Sequence, residues 1–173
     1  MKIYTESSTG NKRQALKNAL RGFGWELQNT EFSLDETASL ITIEETIKGS
    51  IRRAQRLTIE DIIPDGSLVI GIQKGWSVKK DVALLLAVSG FIKGALARPI
   101  TECAEISLNA PKMAEAILSG MHPYDAYEKV KGISIRKNPT PVYEIITGKS
   151  ETVWMEGIIR KVLTAFQTEK AIH

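Results

Sequence analysis

A chain of 173 residues, 43% hydrophobic and 25% charged, can bury one sizeable core and fits a single domain over 1–173 rather than two. Its one cysteine, Cys103, excludes an internal disulfide and any cysteine-cluster metal site and reads as core packing, while His122 and His173 lie too far apart in sequence to suggest a zinc site. The net charge of +3 comes with short basic groups that are solvated faces or sites for an anionic ligand: Lys12 and Arg13, Arg52 and Arg53 with Arg56, Lys79 and Lys80, Lys129 and Lys131.

In chain order, a short strand is expected over 2–5, followed by the polar loop Ser7-Ser8-Thr9-Gly10-Asn11. A helix then places Ala15, Leu16, Ala19, Leu20 and Phe23 on one face, with Gly22 and Gly24 as its stop. Residues 25–41 read as extended or loop. Thr42 and Glu45 form a capping-box pair that opens a second helix with an apolar stripe at Ile47, Ile51 and Ala54.

Pro64-Asp65-Gly66 is a turn, and the run 68–72 after it is a buried strand that Gln73-Lys74-Gly75 is expected to end. The apolar run 82–88 is expected to pair beside it. Over 100–108 the pattern alternates, with Ile100, Ala104, Ile106 and Leu108 on one face and Thr101, Cys103, Glu105 and Ser107 on the other. Helices are expected from Pro111 to a stop at Gly120 and from Pro123 through Tyr127, then a strand over 142–147. A last helix carries Trp154, Ile158, Val162, Leu163 and Phe166. Alternating strands and helices with a hairpin between them predict an α/β fold, a mixed central sheet flanked by helices, with room for a cleft between two lobes.

No apolar run reaches the roughly 18 to 20 residues that cross a bilayer, and the polar start lacks a signal-peptide core, so the reading is cytoplasmic, with no membrane partner.

Five short segments in this order resemble the inosine/xanthosine triphosphatase family. Ser8-Thr9-Gly10-Asn11-Lys12 stands where that family has Thr-Asn-Pro-x-Lys, and the run from Glu45 to Ala54 is similar to Glu-Thr-x-x-Gly-Ala-x-x-Arg-Ala. The run from Val69 to Gly75 resembles Val-Gly-Ile-Glu-x-Gly, Glu105-Ile106-Ser107-Leu108 resembles Thr-Leu-Pro-Leu, and Thr147-Gly148-Lys149 resembles the Thr-x-Gly turn before the last helix. The resemblance implies the two-lobed fold of inosine triphosphate pyrophosphatases, a homodimer, and magnesium-dependent hydrolysis of inosine and xanthosine triphosphates.

The residues themselves suit phosphate. Thr9, Gly10, Asn11, Lys12 and Arg13 enter a helix N-terminus, where free N–H groups and two cations can hold oxyanions; an ordinary N-cap with solvated basic residues is the plainer alternative. Glu45, in the first turn of the second helix, is placed either to ligate magnesium and act in catalysis or simply to cap, with Glu44 as a lesser partner. Arg53 and Lys149 can reach phosphate, and Trp76 after Gly75 can stack on a purine or pack in the core. Tyr124 and Tyr127 read as core or dimer contacts.

The departures from the family pattern point one way. Gln73 replaces a glutamate and Lys74 follows it, Glu151-Thr152 replaces Thr-Arg, Gly10-Asn11 replaces Asn-Pro, and Ser67 replaces an acid at the start of the central strand, leaving Asp65 in the turn before. Replacing an acid by an amide beside an ammonium weakens a magnesium site and strengthens attraction for phosphate. The expectation is a protein that binds a purine-containing nucleotide, a signalling nucleotide being one candidate, with weak or lost hydrolysis, in a sequestering or sensing role. An active magnesium-dependent triphosphatase is the alternative. A basic structural or nucleic-acid-binding protein ranks last, since no base-stacking motif or recognition helix is present.

Overall fold

The computed structural model describes residues 1–6, 10–28, 42–96, 98–132, 148 and 150–172, with side chains through 168. The expected strand over 142–147 lies outside these residues, as do Thr9 and Lys149.

Among the described residues five strands form one mixed sheet in the order β2-β1-β3-β4-β5: β1 Lys2–Thr5, β2 Glu26–Leu27, β3 Leu68–Val78, β4 Val82–Ile92 and β5 Ile100–Ser107. β1 runs parallel to both β2 and β3, while β3, β4 and β5 are successive antiparallel neighbours. The helices are α1 Gly10–Ala19, α2 Ile43–Thr58, α3 Pro111–Leu118, α4 Pro123–Lys131 and α5 Glu151–Ile172. This is the α/β arrangement, a mixed sheet flanked by helices, that the pattern predicts. No helix among the described residues is long and apolar enough to cross a membrane.

The sheet carries a different core on each face. Alternation along β3 sends Ile70 and Ile72 into a cluster with Ala15, Leu16 and Ala19 of α1 and Met155, Ile159, Val162 and Leu163 of α5. The opposite face packs on α2, where Ala54 and Leu57 meet Tyr4, Ile63 and Val69. Towards the β3–β4 hairpin, α3 and α4 close a third cluster around Trp76, Leu84, Met113 and Tyr127.

α2 begins as its sequence predicts: Thr42 Oγ1 accepts the Glu45 N–H at 3.2 Å and Glu45 Oε2 accepts the Thr42 N–H at 2.7 Å. Its buried stripe, however, is Thr46, Ser50, Ala54 and Leu57, with Ile47 and Ile51 half-buried. The reason is proximity. A Cβ on Gly71 would lie 2.1 Å from the Ser50 carbonyl oxygen and 2.5 Å from the Ala54 nitrogen, so the helix rides on a glycine and only small side chains fit between. Ser50 Oγ meets Ser89 Oγ at 2.7 Å, which in turn meets Thr101 Oγ1 at 2.8 Å, so these buried hydroxyls satisfy one another.

Three expectations need correction. Gln73, Lys74 and Gly75 do not end the strand: β3 continues to Val78 because each of its residues from Leu68 onward has a partner on β4. Cys103 is exposed rather than packed in the core, since alternation along β5 turns Cys103, Glu105 and Ser107 to solvent. α4 runs past Tyr127 to Lys131 and stops at Gly132, whose φ of 70° closes the helix.

Candidate functional site

The chain leaves β1 through α1 to β2 on one side, then returns through α2 to β3 on the other side. β1 is therefore the strand at which the connections diverge, and its carboxyl end is where open α/β sheets form a crevice. Five elements deliver polar side chains to that end.

Glu6 directly follows β1 and is 3% exposed, yet it carries a carboxyl group. Arg53 of α2 donates from Nη1 to Glu6 Oε1 at 3.3 Å and from Nε to Gln73 Oε1 at 2.7 Å. Gln73 donates from Nε2 to the Lys74 carbonyl at 2.8 Å. Gly49 makes room for this side chain, because a Cβ there would stand 2.9 Å from Gln73 Cγ. Lys12 of α1, 5% exposed, donates from Nζ to the Ile72 carbonyl at 2.9 Å. Burial pushes the Glu6 carboxyl above its ordinary value of 4.5, and the charges of Lys12 and Arg53 pull it back only in part.

The network continues across β3. Alternation turns Lys74 to the face opposite Gln73, where Nζ lies 2.5 Å from Glu151 Oε1, and Asn11 Nδ2 donates to Glu151 Oε2 at 3.0 Å. Glu151 is 1% exposed and opens α5, whose Val153 N–H is accepted by Ser150 Oγ at 3.3 Å.

Of the residues the sequence singles out, Asn11, Lys12, Arg53, Gln73 and Lys74 thus meet in one network, and Gly10 opens the helix that carries two of them. Gly75 is buried in β3 opposite Leu85. Arg13 turns towards the end of β2, donating to the Gln28 carbonyl at 3.4 Å. Trp76 is 6% exposed inside the hairpin-end cluster, edge-on to Tyr124 with ring centroids 6.0 Å apart. Glu45 is exposed and its carboxylate is engaged in the capping box.

Glu6 and Glu151 are the members that sequence reasoning missed. Glu6 could have been found from its place one residue past a strand that leads into the phosphate-like loop. Glu151 stands beside Thr152, where the resemblance leads one to look for an arginine, and it meets Lys74, so two separate departures form one ion pair.

As a magnesium site this donor set fits poorly. Position 73 is an amide, Glu6 and Glu151 already face Arg53 and Lys74, and among the described residues no three His, Cys, Asp or Glu side chains lie together.

A second charged feature lies at the hairpin. Asp81 accepts hydrogen bonds from Ser107 Oγ, from the Asn109 N–H at 2.9 Å and from the Ala110 N–H at 2.6 Å. Partial burial opposes its ionisation, but these bonds outweigh burial and hold the carboxyl below its ordinary value of 3.8. α3 has no side-chain cap of its own at Ala110, so Asp81 serves that helix start from across the hairpin. Beside it, Ser77, Lys79, Lys80, Ala83 and Glu105 help line a cavity of about 400 Å³.

Over nearly its whole length the chain superposes on a protein of known structure, protein VC0702 from Vibrio cholerae. The TM-score is 0.71 at 14% identity, covering 98% of this chain and 97% of that one. The two chains share one fold. A nucleoside-triphosphatase / dITP/XTP pyrophosphatase from Mycobacterium abscessus is similar over 62% of this chain and 72% of its own, with a TM-score of 0.45 and 11% identity. No protein-family model and no curated relative matches the sequence.

Proposed function

We propose that this protein binds a purine-containing nucleotide at the carboxyl end of β1, with phosphate charge met by Lys12, Arg53 and Lys74, and that it hydrolyses the nucleotide weakly or not at all. The observation that carries this reading is the buried network itself. Three cations and two carboxylates from β1, α1, α2, β3 and α5 gather near the carboxyl end of β1, the Arg53–Glu6 pair on one face of β3 and the Lys74–Glu151 pair on the other. On stability grounds alone, buried ion pairs do no better than well-packed apolar residues of similar volume, so a network placed at such a crevice points to a ligand. Its charge balance of three cations to two acids favours an anion.

The purine is supported by the sequence resemblance to inosine/xanthosine triphosphatases, and the weak turnover by the poor fit of the donor set to magnesium. A thermal-shift screen of purine nucleotides, with magnesium or with a chelator, tests both parts when followed by product analysis. Stabilisation by at least one purine nucleotide in chelator, with negligible product, is the expected result. Absence of any nucleotide-induced shift removes the binding claim. Magnesium-dependent release of phosphate or pyrophosphate that disappears in Glu45→Gln replaces the binder with an active triphosphatase.

A further inference from the structure

Glu151 is held as an oxyanion ligand would be held. One carboxylate oxygen faces the Lys74 ammonium at 2.5 Å and the other accepts the Asn11 amide at 3.0 Å, while the group itself sits in the first turn of α5. An ammonium, an amide donor and the positive end of a helix make a cradle suited to phosphate oxygens as well as to a carboxylate. The cradle follows the rest of the network along the chain, with Asn11 next to Lys12 and Lys74 next to Gln73, and it lies on the sheet face opposite Gln73 and Arg53. Glu151 is also the first residue of its helix, so displacing its carboxylate breaks the Lys74 and Asn11 contacts and no hydrogen bond within the helix interior.

We propose that Glu151 is an internal competitor for anions: its carboxylate fills a phosphate cradle formed by Asn11, Lys74 and the start of α5, and a ligand phosphate binds there only by displacing it. The identity of the ligand rests on the nucleotide reading above, whereas the cradle does not. Glu151 thereby sets a threshold, admitting a ligand rich in phosphate charge and turning away single weak anions. It also reconciles a cationic site with an ion pair that neutralises one of its cations.

The test is calorimetric titration of inorganic tripolyphosphate, without magnesium, into the intact protein and into Glu151→Gln, which keeps the side-chain volume and an acceptor for Asn11. Glu151→Ser, with a side chain suited to a helix start, serves if the glutamine variant does not fold. Loss of the competing charge is expected to tighten binding about tenfold or more. The double variant Lys74→Gln with Glu151→Gln is expected to lose that gain, which localises the effect to the cradle. Unchanged or weaker binding by the single variant overturns the proposal, because Glu151 would then be positioning Lys74 rather than blocking it. So does a gain that survives in the double variant.

Inosine triphosphate titrated in parallel separates the two claims. A tripolyphosphate gain with no nucleotide binding by any variant keeps the cradle and removes the nucleotide reading. Nucleotide binding by the intact protein without a tripolyphosphate gain does the reverse.

Discussion

The middle of the long strand β3 and its hairpin end treat charge in opposite ways. Near Gln73 and Lys74, the sheet buries carboxylates and cations together, Glu6 at 3% and Lys12 at 5% exposure, where apolar side chains would pack as well. Near Trp76, the interior is apolar and aromatic, and Asp81 stands at the rim serving backbone N–H groups. The middle of the strand gathers ion pairs, whereas at the hairpin end Asp81 closes a helix start. That contrast, rather than the amount of charge, makes the middle the candidate site.

The largest expected effect tests the hairpin end. Trp76→Ala should destabilise the protein by about 3–5 kcal/mol, as removal of a large buried aromatic does. Nucleotide affinity of the folded fraction should be unchanged, measured by denaturant titration alongside calorimetry. A selective loss of nucleotide affinity at unchanged stability would instead put the indole against the base.

In the network at the middle of β3, removing one buried partner should be nearly as damaging as removing the aromatic. Glu6→Ala leaves Lys12 and Arg53 without their acid and is expected to lose about 3 kcal/mol or more. Replacing all three by apolar residues, Glu6→Leu with Lys12→Met and Arg53→Met, should recover most of that loss while abolishing nucleotide binding. If the triple variant is as unstable as the single one, the network is needed for folding and the contrast between the two regions collapses.

Capping residues give the smaller effects. Asp81→Ala uncaps α3 and frees Ser107, for an expected loss of about 1–2 kcal/mol. Thr42→Ala breaks the capping box of α2, for about 1 kcal/mol. Denaturant midpoints rank the two, and neither should alter nucleotide affinity by more than about twofold.

Local rules made much of this legible. The Thr42 and Glu45 pair, the α1 stripe at Ala15, Leu16 and Ala19, and the α5 stripe at Ile158, Val162 and Phe166 follow from spacing alone, and all are present. The length of β3 was not legible, because Gln73-Lys74-Gly75 looks like a turn until β4 supplies a partner for each residue. Likewise Ile47 and Ile51 announce a stripe that Gly71 overrides by drawing the helix so close that only small residues fit beneath it. At the site, Asn11, Lys12, Arg53, Gln73 and Lys74 could be named from loop chemistry and resemblance. Their acids could not, since Glu6 and Glu151 lie 145 positions apart and each gains meaning only from a partner far away in the chain.

The subtlest effect separates the two acids by the sign of their response to pH. Glu6 has a folded value above 4.5, so over the window from 4.5 up to that raised value the native state keeps a proton that the unfolded chain has released. Stability from this group therefore falls as pH rises through the window and stays lower beyond it. Asp81 has a folded value below 3.8, so the unfolded chain takes up a proton first as the solution is acidified. Its contribution is intact above 3.8 and is lost as pH falls through the depressed value. Denaturant midpoints across pH, compared among the intact protein, Glu6→Gln and Asp81→Asn, should show the glutamine variant flattening the loss on the higher-pH side and the asparagine variant flattening only the acid side. If both variants flatten the same side, the two carboxylates share one kind of environment, and the distinction between a charge buried for a ligand and a charge spent on a helix end is lost.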